Sequence, residues 1–199
     1  EINKNITSLL NHHGAKAIGI SGKDSAIIKA TPKENGKFGY TGIVTEINAT
    51  MINNLLEQGF IPVIAPIADS AEPNHPGFNI NADVAASKIA QALNAQKVLF
   101  LTDIVGVLNK EKELLASLDK DEVEAYKKDE TIAGGMIPKV DSCIEAIHNG
   151  VNKAHIIDGR VEHSILLEVF TSAGVGTQFL RRDNPNNGID LEKLINNEM

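Results

Sequence analysis

Two stretches of this chain carry the residue types of anion chemistry at a useful spacing. Phe78-Asn79-Ile80-Asn81-Ala82-Asp83 sets two amides and a carboxylate at i, i+2 and i+4, where a helix is predicted to begin. Gly134-Gly135-Met136-Ile137-Pro138-Lys139 sets a glycine pair and a lysine at a second predicted helix start. Helix N-termini favour negative charge, and a glycine backbone lets an anion come close. An organising carboxylate and a neutralising cation, each beside a helix start, are parts of phosphoryl transfer, which runs on positioning and charge neutralisation. Plain structural readings compete. Asn and Asp are good helix caps, and a glycine pair alone makes a turn. Yet three polar groups at one helix mouth exceed what a cap requires. A lysine in a first turn opposes the helix dipole, so stability does not ask for Lys139 there.

Two further groups could contribute. Leu101-Thr102-Asp103 ends an apolar run, with Gly106 in the turn. This is either an ordinary turn acid before a glycine or a polar rim that meets a nucleotide at a strand end. Gly159-Arg160-Val161-Glu162-His163, Glu168-Val169-Phe170-Thr171 and Gly174-Val175-Gly176-Thr177 form a second constellation. Glu168 falls among apolar neighbours, as a surface salt bridge or as a carboxylate that awaits a cationic ligand. No Walker-type phosphate loop occurs, and no spaced histidine or cysteine cluster suggests a transition-metal site.

The elements that must position these residues alternate. Helices are predicted over Ile2 to His13, with Ile2, Ile6, Leu9 and Leu10 on one side, and over Asn48 to Gln58, Ala82 to Leu93, Asp119 to Lys128, Pro138 to His148 and His163 to Phe170. Strands are predicted over Ala15 to Ser21, Ile61 to Ala65, Lys97 to Leu101, Lys153 to Ile157 and Thr177 to Leu180. Ser25 to Thr31 and Gly42 to Ile47 flank the Gly-, Lys- and Pro-rich Pro32 to Tyr40, which suggests a β-excursion at a sheet edge. Asp69 to Phe78 reads as a loop, and Asn184 to Met199 as a polar tail. Lys97 to Leu101 is apolar enough for a central strand. The alternation implies a mainly parallel sheet covered on both faces, with the loops after Ala65, Leu101 and Ile157 at one edge.

Composition bounds the rest. The chain has 199 residues, 42% of them hydrophobic, enough for one well-buried α/β domain or one lobe plus appendages. Acids outnumber bases 26 to 19, a net charge of −7, and no basic run argues for nucleic acid. The single cysteine, Cys143, is expected to be a buried bystander and fits a reducing cytoplasm. No apolar run approaches the roughly 20 residues of a membrane span.

Taken together, five segments resemble the N-acetylglutamate kinases of the amino-acid kinase superfamily. They are Ile18 to Asp24, Phe78 to Asp83, Leu101 to Leu108, Gly134 to Lys139 and His155 to Arg160, in an order and spacing that match down to about Leu180. The resemblance implies a three-layer α/β sandwich of the carbamate kinase-like type, with residues 1–183 forming part of one domain. It implies MgATP-dependent phosphorylation of the side-chain carboxylate of N-acetyl-L-glutamate, in arginine synthesis. On that resemblance Asn79 and Asn81 match the acylamino-acid site, and Asp83 the carboxylate that orients catalytic lysines. Lys139 matches the lysine that stabilises the transferred phosphoryl group and the nucleotide phosphates, while Thr102, Asp103, Gly135 and Met136 match the nucleotide side. An ionised carboxylate nucleophile needs no general base, so His12, His13, His75, His148 and His163 are expected at the surface or in packing.

His163 through Thr177 resembles the arginine-inhibited members, in which Glu168 would hold the effector guanidinium beside His155 and Gly174. A homo-oligomer, dimer or hexamer, and a PII-type partner are further expectations of this kind. Such proteins open with a lysine and Gly-Gly strand end, a second glycine pair and a carboxylate-clamping arginine. Glu1-Ile2-Asn3-Lys4 resembles their middle, so roughly a first third is expected to be absent. Two rival readings stay open: a non-catalytic nucleotide- or arginine-binding fragment, and a kinase of aspartate, glutamate or aminoadipate.

Overall fold

The computed structural model describes residues 1–72, 74–171 and 174–181. They fall into two compact units, Glu1–Leu93 and the chain from Asn94 onward. The tail expected over Asn184 to Met199 lies outside the described residues.

The first unit begins with α1 (Ile2–His12) and β1 (Ala17–Ser21), followed by the hairpin strands β2 (Ile28–Pro32) and β3 (Gly42–Ile47). Then come α2 (Thr50–Glu57), β4 (Ile61–Ala65), β5 (Ile67–Ser70), β6 (Phe78–Asn79) and α3 (Ala82–Ala92). β1 and β4 pair in parallel, while the other four strands form a sheet ordered β3-β2-β5-β6. The excursion is therefore real, with β3 antiparallel to β2 at that sheet's edge. It starts later than expected, because Ser25 and Ala26 have φ of 51° and 50°, which interrupts an extended chain. The expected loop after Asp69 also carries strand pairing: β5 runs parallel to β2 and antiparallel to β6. Ile27, Ile28, Ala30, Ile52, Ala68, Phe78, Ile80 and Ala85 form the core.

Helix α1 forms where the sequence pattern places it. Its apolar stripe faces outward, with Ile2 76%, Ile6 46% and Leu9 60% exposed. Its polar side meets the β1–β4 pair instead. Asn3 Nδ2 donates to the carbonyls of Val63 (2.7 Å) and Ile20 (3.2 Å), Lys4 Nζ to that of Gly19 (2.5 Å) and Asn11 Nδ2 to that of Ala17 (3.1 Å). Strand carbonyls left over by a two-stranded sheet need donors, and that demand outranks burial of the stripe.

The second unit holds β7 (Lys97–Thr102), β8 (Ser117–Leu118), α4 (Lys120–Lys128), α5 (Met136–His148), β9 (Lys153–Asp158), α6 (Ser164–Phe170) and β10 (Thr177–Phe179). Its sheet runs β7-β9-β10-β8. β7 lies parallel to β9, and β8 to β10, while β10 is antiparallel to β9. Within this sheet β7 is an edge strand, not the central one expected, and Leu101 is exposed. The inner strands are β9 and β10, and the longer of them, β9, is buried from Ala154 to Asp158. Cys143 is buried in α5, as expected. No described helix is long and apolar enough to cross a membrane.

Candidate active site

The carboxyl edge of the second unit's sheet is built by register. Thr102 and Asp158 are the last paired residues of β7 and β9. The Gly159 N–H extends that pairing by donating to the Thr102 carbonyl at 2.8 Å. Thr102 Oγ1 lies 3.3 Å from Asp103 Oδ1, and Asp103 is exposed. Beside them Arg160 folds back on Asp158. Its backbone N–H and Nε donate to Oδ1, each at 2.9 Å, and Nη2 donates to Oδ2 at 2.8 Å. These bonds from Arg160 hold the Asp158 carboxyl down at about 2.

Helix α5 brings its own start to this edge. Only four residues separate its last residue, His148, from Lys153 at the start of β9, and α5 packs on β9. The helix therefore runs against the strand, with its first turn beyond the strand's carboxyl end. Gly134 supplies a left-handed turn with φ of 56°, which side chains other than glycine adopt at a cost. Gly135 is the N-cap and gives the helix no side-chain cap. A Cβ on Gly135 would meet nothing within 4 Å. Met136 and Lys139 lie in the first turn, both half-buried. Thr102, Asp103, Gly135, Met136 and Lys139 thus share one side of one unit.

The first unit holds the other group. Asn81 caps α3, its Oδ1 accepting from the Val84 N–H at 3.1 Å. The capping reading holds for this residue. Asn79 ends β6 with an exposed side chain, its N–H donating to the Tyr40 carbonyl at 2.7 Å. Asp83 sits half-buried in the first turn of α3, where a negative charge suits the dipole. Asn79, Asn81 and Asp83 therefore gather at one helix mouth.

A third cluster lies in the second unit. Glu168 of α6 and His155 of β9 are both buried, with Oε1 and Nδ1 2.5 Å apart. Glu168 Oε2 accepts from the Val175 N–H at 2.7 Å. Burial alone would raise this carboxyl. The hydrogen bonds from His155 and the backbone of Val175 and Gly176 outweigh it and bring Glu168 below the usual glutamate range. An ionised carboxylate only accepts, so His155 carries its proton on Nδ1. Among the described residues His155 Nε2 is buried without a hydrogen-bond partner. Gly174, with φ of 61°, passes so close that a Cβ there would lie 3.0 Å from Glu168 Oε2. His155, Glu168 and Gly174 do come together, but Glu168 is neither at the surface nor open.

His12, His13, His148 and His163 are exposed, and His75 stacks on Phe78 with ring centroids 4.3 Å apart. Among the described residues no three His, Cys, Asp or Glu side chains group to hold a metal ion. The feature that the sequence reading passed over is the Asp158–Arg160 fork. Its one signal was an acid and an arginine two apart at the end of a strand.

The model of the amino acid kinase family matches residues 1–158. The acetylglutamate kinase of Aliarcobacter butzleri is 77% identical over 198 residues, covering 100% of this chain and 66% of that protein. That of Wolinella succinogenes is 63% identical over 181 residues, covering 91% of this chain and 64% of the relative. The chain thus spans about two thirds of the length of these relatives. The crystal structure of smu.665 from Streptococcus mutans matches with a TM-score of 0.72 at 28% identity, over 89% of this chain and 66% of that one. The α/β architecture, the order of the five segments and the family match agree, and the chain belongs to the amino acid kinase family.

Proposed function

We propose that the protein transfers the γ-phosphoryl group of ATP to the side-chain carboxylate of N-acetyl-L-glutamate, giving N-acetyl-L-glutamyl 5-phosphate for arginine synthesis. The observation that carries this reading is the 77% identity to an acetylglutamate kinase along the whole of this chain. The chemistry is consistent with the residues. A carboxylate acceptor is already ionised near neutral pH, and the barrier is repulsion between two anions. Lys139 neutralises the transferring group. Gly135 and Met136 lie along the polyphosphate, Thr102 and Asp103 along the nucleoside, and Asn79 and Asn81 hold the acylamino acid. Asp83 orients cationic side chains. An uncapped helix start with an open glycine and a lysine suits polyphosphate. Magnesium, bound with the nucleotide, supplies further neutralisation of its phosphates.

The test is an acceptor screen with ATP and magnesium, in which hydroxylamine traps acyl phosphate. N-acetyl-L-glutamate should give hydroxamate, with little from glutamate, aspartate or aminoadipate. Equal turnover of another of these acids would replace the proposed acceptor.

L-Arginine as an effector belongs to the same proposal, with His155, Glu168 and Gly174 as its site. Their convergence supports it. Because His155 already holds one oxygen of Glu168, an incoming guanidinium must share that carboxylate or displace the imidazole. Arginine should raise the melting temperature of the wild type and not of Glu168→Gln. A homo-oligomer is supported by the outward stripe Ile2, Ile6 and Leu9, whose 4-3 spacing is that of a helix-packing seam.

A further inference from the structure

The fork at the end of β9 has no part in the roles above. Asp158 takes two donors of the Arg160 side chain, one for each carboxylate oxygen. Bidentate pairing of this kind favours one shared guanidinium–carboxylate plane, set before any ligand arrives. The remaining N–H groups and both faces belong to a side chain that is 65% exposed. The fork stands at the strand edge that carries Thr102 and Asp103, because Gly159 continues the β7–β9 register.

The charges decide what such a plane can receive. Asp158 is ionised, and Asp103 lies near enough to act on the charge of Arg160. Asp158 pairs with the guanidinium directly and Asp103 adds negative charge nearby, so this corner is not cationic overall and does not draw phosphate. A neutral aromatic ring with hydrogen-bond donors on its rim suits it better. It can stack on the guanidinium plane and present its donors to a carboxylate.

We propose that the Asp158-held guanidinium of Arg160 is the platform on which the adenine ring of ATP stacks. This rests on the nucleotide-side reading of Thr102 and Asp103. It divides the edge in two, with the base at the fork and the phosphates at the start of α5.

The experiment measures binding of ATP, adenosine and inorganic tripolyphosphate to the protein and to two variants, by calorimetry. Arg160→Gln should weaken ATP and adenosine alike, by roughly two- to fivefold, the range of an exposed cation–π contact. Tripolyphosphate affinity should stay unchanged. Arg160→Lys keeps the charge but loses the plane and the fork, so it should recover only part of that loss. Three results overturn the proposal: a tripolyphosphate loss equal to the ATP loss, ATP affinity restored in full by lysine, or ATP binding unchanged in both variants. A wild type that binds neither ATP nor tripolyphosphate would overturn the nucleotide-side reading itself, and the platform with it.

Discussion

Removing the Glu168 carboxylate should loosen α6 and the segment that leads into β10. Most of the apolar surface of α6 points outward: Ile165, Leu166, Leu167 and Phe170 are all exposed, and its buried residues are Ser164 and Glu168. Glu168 is thus a main anchor, tying the helix to β9 through His155 and to the next turn through Val175. Glu168→Ala strands the buried His155 donor at about 1–3 kcal/mol and the part-buried Val175 N–H at less. Breaking one side of a buried pair costs about 3–5 kcal/mol. Glu168→Gln keeps one amide oxygen for one of those donors and should cost about half as much. Urea denaturation at neutral pH, with hydrogen exchange read across Ser164–Phe170, measures both.

The pH dependence has a definite sign. The folded carboxyl lies below its ordinary range, so its contribution is full above the unfolded value and is lost as pH falls through the folded one. The stability gap between wild type and Glu168→Gln should therefore be constant near neutrality and close only under acid. A glutamine variant as stable as wild type at pH 7, or a gap that widens on acidification, would refute this account of the cluster.

Other consequences are open to direct measurement. Gly135→Ala should stay within about 1 kcal/mol of wild-type stability, because φ of −67° suits any residue and its Cβ meets nothing, while alanine is the poorer N-cap. Its ATP affinity should nevertheless fall if phosphates approach there, which pairing thermal melts with nucleotide titration would show. Asp119→Ala removes a reciprocal cap in which Asp119 accepts from the Glu122 N–H and Glu122 from the Asp119 N–H, both at 2.9 Å. It should cost about 1 kcal/mol in denaturant melts. Leu9→Glu leaves the polar side of α1 intact and places charge on its outward stripe, so sedimentation should show a lighter species without a lower melting point.

Much of the fold was legible because period and termination signals agree. The patterns of Ile61 to Ala65 and Lys153 to Ile157, and the helix starts at Asn81 and Asp119, mark elements found within a residue of their predicted limits. What stayed hidden depends on partners. β6 and β8 are two residues each, too short to carry a period, and exist because β5 and β10 offer a ladder. The stripe of α1 was visible, but its direction is set by carbonyls of β1 and β4 up to sixty residues away. Likewise β7 reads as central by composition, whereas pairing puts β9 inside. Among candidate site residues, those within one local segment could be grouped from spacing alone. The His155–Glu168 contact needed the fold, and so did the partner of Arg160 in its strand-edge setting.

In the proposed reaction Lys139 and Asp83 serve one and the same phosphoryl transfer. A double-mutant cycle with Asp83→Asn and Lys139→Ala, read as hydroxamate formed from N-acetyl-L-glutamate, tests that most directly. Lys139→Ala should lower turnover on the order of 10²-fold or more, and the double variant should lose far less than the product of the two single losses. Single losses that simply multiply, or a Lys139→Ala enzyme with undiminished turnover, would contradict it.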